Sequence, residues 1–169
     1  KNTVPALIEK DPLLASRIFD VPSEGYLGSR IDQNYQPEKI QQQRNALLDT
    51  LARELGAFCK ETYLSLDPDM QQDFSQAMGV RALKNIMLAL MARQGDAEAF
   101  ELAKQQYQTT RNMSERLGAL RVLVWNDAPQ AKAALEDFYT RFKDEALALD
   151  QWLWFKLHIQ KRQLKPFRL

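Results

Sequence analysis

A chain of 169 residues, 45% apolar and 27% charged, is long enough to bury a substantial core and has the composition of an ordinary globular domain. Its formal net charge of +1 gives no general attraction to nucleic acid or to a membrane surface, so neither is expected as a partner. The longest apolar run, residues 86–92, is far too short to cross a bilayer, and no charged segment leading into an apolar stretch marks a secretory leader; a cytoplasmic setting is the expectation.

The chain opens on Lys1 rather than Met, as a processed chain or one cut from a longer polypeptide would. Glycine is scarce, at 6, and proline stands at 7, among many Ala, Leu, Gln, Glu and Lys. These side chains lose little rotamer freedom in a helix, so the composition favours helices. Residues 1–36 read as an irregular lead-in. Asp11-Pro12 opens a short helix with Leu13, Leu14, Arg17 and Ile18 as its pattern, and residues 21–28, with a proline and two glycines, form a loop leading into another short helical turn.

From Pro37 the pattern sharpens. Proline suits a first helical turn and Glu38 sits where the helix dipole favours negative charge. Leu47, Leu51, Leu55, Phe58 and Thr62, flanked by Leu48 and Cys59, form a stripe that runs until Asp67-Pro68, so the helix is predicted to stop near Leu66. A further helix carries Ala82, Leu83, Ile86, Met87, Leu90 and Met91 and stops at Gly95. Asp96 caps the next, with Ala99, Phe100, Ala103 and Tyr107 as its apolar positions.

Asn112 begins another, with Glu115 placed for a capping box and Leu117, Leu120 and Val124 as the stripe. Asn126-Asp127-Ala128-Pro129 breaks the chain again. Two helices follow, one on Leu135, Phe138 and Phe142, the other on Ala146, Leu149, Trp152 and Leu153. No segment reads as a strand. The fold class expected is all-α, a curved array of antiparallel helix pairs in the manner of an α-solenoid or HEAT-like superhelix. The array occupies residues 37–155, and residues 156–169 form a basic amphipathic tail.

Chemistry is hard to find. His158 is the single histidine, so a His-Glu-x-x-His zinc site has no second imidazole, and a Ser-His-Asp or Cys-His arrangement would depend on this one ring. It reads as a solvated tail residue. Gly25 and Gly28 follow a proline turn rather than a strand, which does not make a phosphate loop. Cys59 lies on an apolar stripe and reads as a buried small hydrophobe.

Asn112-Met113-Ser114 matches a glycosylation pattern but serves better as a helix cap. Met78, Met87 and Met91 read as core. The acid pairs Asp67 with Asp69 and Glu136 with Asp137 read as helix-start and solvent-face charge. The tail alternates Lys156, Lys161, Arg162, Lys165 and Arg168 with Leu157, Ile159, Leu164 and Phe167, a pattern that docks an apolar face as readily as it binds an anionic surface. No catalytic, cofactor-binding or metal-ligating residue is assigned.

Four stretches carry a family resemblance: Val21-Pro22-Ser23-Glu24-Gly25-Tyr26-Leu27; Arg81-Ala82-Leu83-Lys84-Asn85; Asn112-Met113-Ser114-Glu115-Arg116-Leu117-Gly118-Ala119-Leu120; and residues 135–153, with Phe138-Tyr139 and Ala148-Leu149-Asp150-Gln151-Trp152. In this order they resemble the C-terminal helical domain of bacterial aminopeptidase N over residues 4–155. The third is similar to that family's Asn-Met-Thr-Asp-x-Leu-x-Ala-Leu run, and the fourth to its Tyr and Met-Asp-Lys-Trp-Phe.

The resemblance implies a parent zinc exopeptidase whose thermolysin-like domain holds His-Glu-x-x-His, a later Glu and Gly-x-Met-Glu-Asn. None of these motifs occurs here, so no zinc or catalytic residue is carried over. It implies a helical segment that walls off an active-site chamber, with the catalytic domains of the same polypeptide as partners and peptides as the parent's substrates. After Trp152 the sequence departs from the family and turns basic where the family continues with more helices; an array lacking its terminal repeats exposes an apolar face, so self-association through that end is expected. The alternative is a free-standing helical-repeat interaction module.

Overall fold

In the computed structural model the described residues are 3–31, 35–71 and 73–163, the last three by backbone alone. Their regular elements are all helices, and among them there is no strand. The elements are α1 (Thr3–Lys10), α2 (Pro12–Phe19), α3 (Glu24–Gly28), α4 (Pro37–Ser65), a 3₁₀ turn (Pro68–Met70), α5 (Phe74–Ala92), α6 (Ala97–Thr109), α7 (Met113–Trp125), α8 (Ala131–Phe142) and α9 (Ala146–Gln163). They form two compact units, Lys1–Gln94 and Gly95–Leu169. The lead-in therefore packs into the first unit, and α9 runs without a break through residue 155.

In the first unit α5 is the central element, with α2 and α4 both packed on it, α1 against α2 and α3 against α4. Asp11 starts α2 by accepting from Leu14 N at 2.9 Å, with Pro12 at the first helical position. The buried face of α2 is Pro12, Ala15, Ser16 and Phe19, not the expected Leu14 and Ile18, which are 51% and 58% exposed. The reason lies on α5. A Cβ at Gly79 would stand 2.5 Å from the backbone nitrogen of Leu13, so the two helices touch almost backbone to backbone. Only small side chains fit beside such a contact, and the bulky pair turns outward.

Helix α4 keeps the predicted limits. Its buried residues are Ala52, Cys59, Thr62 and Tyr63, while Leu47 is half-exposed. Phe58 meets Phe19 of α2 with ring centroids 5.8 Å apart. Helix α5 starts at Phe74, where Asp73 accepts from Gln76 N at 2.9 Å. Leu83, Met87, Leu90 and Met91 are buried as the pattern predicts, but Met78, expected in the core, is 42% exposed. Past its end Gly95 takes φ +73°, a left-handed conformation that glycine adopts without steric cost. Arg93 ties the end of the unit to α4 through Asp49 at 2.7 Å.

In the second unit α6 packs on α7, and α7 on α8 and α9. Asp96 accepts from Glu98 N at 3.0 Å and Asn112 from Ser114 N at 2.9 Å, so both predicted caps form. The capping box around Asn112 runs through Thr110: the Asn112 N–H donates to Thr110 Oγ1 at 3.0 Å, and that hydroxyl donates to Glu115 Oε2 at 3.1 Å. The core holds Phe100, Tyr107, Leu120, Leu123, Leu135, Phe138 and Phe155. Of the positions expected to line α9, Leu149 and Trp152 are half-buried, but Ala146 and Leu153 are exposed. The buried side of α9 is set by Ala148 and Phe155 instead.

The contact at Gly79 gives a paired prediction. Gly79→Ala should destabilise the chain by about 1–3 kcal/mol, because the new methyl has no room. Gly56→Ala, in the interior of α4 with nothing within 4 Å of its Cβ position, should instead stabilise it by about 0.5–1 kcal/mol. Urea unfolding followed by circular dichroism measures both; equal shifts would contradict the close approach.

Candidate functional site

The residues singled out by sequence are scattered. Asp67 caps the 3₁₀ turn, accepting from Asp69 N at 3.0 Å. Asp137 lies in the second unit, where its Oδ2 accepts from the Tyr107 hydroxyl at 2.7 Å and its Oδ1 from Arg141 Nε at 2.9 Å. Met87 and Met91 are buried in α5. Leu164, Lys165, Phe167 and Arg168 of the expected tail lie outside the described residues, as do the side chains of Lys161 and Arg162. Among the described residues no group of three or more His, Cys, Asp or Glu is placed to hold a metal ion.

His158 differs from expectation. It is half-buried, and its ring stacks on Trp125 of α7 with centroids 4.0 Å apart and planes 17° apart. Trp154 meets the same indole at 4.5 Å, and Phe155 meets it edge-on at 5.6 Å. A helix places residues four apart on one side, which puts Trp154 and His158 together. Trp125 sits 29 positions earlier in the sequence than Trp154, and no local pattern reports that pairing.

Among the described residues each unit has a concave region. The first, about 740 Å³, lies between the α3 segment and the first half of α4. Its walls are aliphatic, with Val21, Leu27, Ile31, Ile40 and Leu47, and its charged lining is Arg30, Lys39 and Arg44. Arg44 fixes the chain before α3 by donating to the carbonyls of Pro22 at 2.8 Å and Val21 at 3.2 Å. The second, about 470 Å³, is lined by Lys132, Leu135, Lys156 and Ile159 together with the turn at Asp127 and Pro129.

Both clefts offer apolar walls and cations, which can bind. Neither brings together a nucleophile, a base and an orienting group, which bond-breaking chemistry requires. The cations of the first cleft went unnoticed in the sequence because they come from two segments that only folding joins.

Perturbed groups serve structure. Burial, followed by the Asp137 hydrogen bond, raises the Tyr107 phenol far above its ordinary value, so the hydroxyl stays a donor. Arg116 lies over Tyr107 and Phe142, 5.8 and 5.5 Å from the ring centroids, and donates to the Thr110 carbonyl. Burial alone pushes the Cys59 thiol from 9.0 up to about 11.

The folded thiol binds its proton more tightly than the unfolded one, so its contribution to stability is complete below pH 9 and fades as pH rises toward 11. Cys59 should resist a thiol-specific chromogenic reagent at pH 8 in native buffer and react fully in denaturant. Rapid native labelling would show that the thiol is accessible.

Comparison with known proteins places this geometry. The profile of the DUF3458_C family, described as a domain of unknown function with ARM repeats, matches residues 3–164. Aminopeptidase N of Escherichia coli (strain K12) is 27% identical over 145 residues, which cover 84% of this chain and 16% of that protein. Aminopeptidase N of Caulobacter vibrioides is 24% identical over 144 residues, with the same shares. The crystal structure of Legionella pneumophila aminopeptidase A in complex with aspartic acid matches with a TM-score of 0.69 at 26% identity, covering 84% of this chain and 18% of that one. The chain thus spans 16% of the length of these two aminopeptidase N relatives. All-helical in its described residues and matched along nearly its whole length, the chain belongs to the DUF3458_C family of ARM-repeat domains.

Proposed function

We propose that this chain is a non-catalytic helical part of a zinc-dependent aminopeptidase, which removes N-terminal residues from peptides, and that its role is to enclose the active-site chamber and restrict access to it. The observation that carries this reading is the match to one sixth or so of two aminopeptidase N proteins, by a segment whose described residues bring together no group of metal-binding side chains. The donor set among the described residues does not fit zinc. A hydrolytic zinc centre needs three protein ligands around one point. The single imidazole, on α9, is stacked on Trp125 of α7, and the single thiol is fully buried in α4. No step of hydrolysis is therefore assigned to these residues, and their contribution is shape.

Enclosure has physical value for a peptidase, because a walled chamber excludes water and sorts substrates by size. Among the described residues no helix is long and apolar enough to cross a membrane. A cytoplasmic setting belongs to the proposal, in keeping with a lone thiol that needs no oxidising surroundings. So do the remaining domains of a longer polypeptide and a second copy of this chain as its partners.

The chain alone, supplied with zinc, should not turn over an aminoacyl 4-nitroanilide. A chimera in which it replaces the matching segment of Escherichia coli aminopeptidase N should cleave that anilide and small peptides while leaving long or folded polypeptides untouched. Deleting the segment should abolish activity or relax the size limit. Turnover by the isolated chain, or an unchanged size limit after deletion, would overturn the proposal.

A further inference from the structure

Helix α9 is apolar on two sides, roughly a third of a turn apart. One side carries Ala148 and Phe155, both buried, with Phe155 set edge-on against Trp125 of α7. The other side faces solvent: Leu147 is 84% exposed, Trp154 48% and Leu157 54%. With 3.6 residues per turn, positions 147, 150, 154 and 157 form one continuous stripe, and Asp150 completes it. An exposed apolar stripe on a helix that already buries another side points to a surface that a partner covers.

We propose that this stripe joins two copies of the chain through an antiparallel, two-fold pairing of α9 with α9 of a second copy. The stripe has the same layout read from either end. About residue 152, Leu147 mirrors Leu157 and Asp150 mirrors Trp154. Antiparallel pairing therefore sets Leu147 of one copy on Leu157 of the other, and Asp150 opposite Trp154. Beside Trp154 stands Arg121 of α7, exposed, with its guanidinium 6.0 Å from the ring centroid.

Each Asp150 carboxylate thus meets the Arg121 guanidinium of the second copy, and the two-fold axis makes the contact twice. A parallel pairing in register would set Asp150 against Asp150, and the repulsion disfavours it. Such self-complementarity, in which residue i meets j and j meets i, is what a two-fold interface requires. Trp154 suits the part of central anchor: Trp125 at 4.5 Å and Phe155 at 5.6 Å hold its ring before any partner arrives, so little freedom is lost on docking. The pairing takes the self-association of the reading above to named residues, and the aminopeptidase assignment does not depend on it.

The test is light scattering and sedimentation equilibrium of the whole 169-residue chain over a wide concentration range, with circular dichroism to show that each variant folds. The wild type should move from monomer to dimer. Leu147→Glu, at a site open to solvent, should weaken dimerisation by at least roughly tenfold. Asp150→Arg and Arg121→Asp should each weaken it by roughly tenfold, since each symmetric dimer loses two pairs and gains two repulsions, and D150R/R121D should recover most of the loss. A wild type that stays monomeric removes both self-association and this pairing, and leaves the stripe to another segment of a longer polypeptide. A dimer that ignores Leu147→Glu and the charge exchange removes the α9 pairing alone.

Discussion

A helix that is apolar on nearly every side is stable in water only when neighbours cover it on more than one side. Helix α5 sets that requirement for the first unit. Its buried residues, Ala77, Val80, Leu83, Met87, Leu88, Leu90 and Met91, go round much of the helix rather than along one stripe. One partner cannot bury them all, and α2 and α4 share the task. The demand explains details that otherwise look arbitrary: glycine at position 79, small residues on the facing side of α2, and Leu14 and Ile18 turned to solvent. Helix α7 makes the same demand in the second unit, where Ala119, Leu120, Val122, Leu123 and Val124 are buried and α6, α8 and α9 all pack against it.

The requirement also separates what the sequence discloses from what it hides. Boundaries are local, and they were legible. Pro37, Asp67-Pro68, Gly95, Asp96 and Asn112 each act within a turn of helix, through a fixed φ, a left-handed conformation or a side-chain cap. The inward face of a short helix is not local. Leu14 and Ile18 look like core residues in one dimension, and only the close contact at Gly79 denies them that place. His158 shows the same limit: a ring in a basic stretch reads as solvated until Trp125, far back in the chain, supplies a surface to stack on. The cationic lining of the α3–α4 cleft was hidden for the same reason.

Chemistry follows a different rule from packing. A hydrolytic centre needs several donors converging on one point, and among the described residues the donors named above lie apart. Cys59 is sealed in α4, His158 is stacked in α9, and Asp137 is committed to Tyr107 and Arg141. Where polar groups are buried they serve the backbone: Gln106 Nε2 donates to the Glu115 carbonyl at 2.9 Å, and Glu115 completes the cap of α7 through Thr110. The Asn-Met-Ser-Glu stretch that carries much of the resemblance to aminopeptidase N is thus a folding device. Its residues start a helix, which is why a family can be recognised from them although none of them can perform its reaction.

The covering requirement turns into function at α9. In ARM-type arrays each helix layer is buried by the next, so a helix with a second apolar side signals a further layer. Helices α5 and α7 have their layers within the described residues; α9 is covered on the side of Ala148 and Phe155, whereas Leu147, Leu157 and the outer face of Trp154, whose ring rests on Trp125, stay open to solvent. A stripe made only of leucines would accept any apolar neighbour with little preference. An aspartate within the stripe and an arginine beside the tryptophan make it selective, because any neighbour that leaves Asp150 against apolar surface must strip a carboxylate of water without compensation. Whatever covers α9 must bring a cation to Asp150 and a carboxylate to Arg121, and a second α9 in the antiparallel sense brings both.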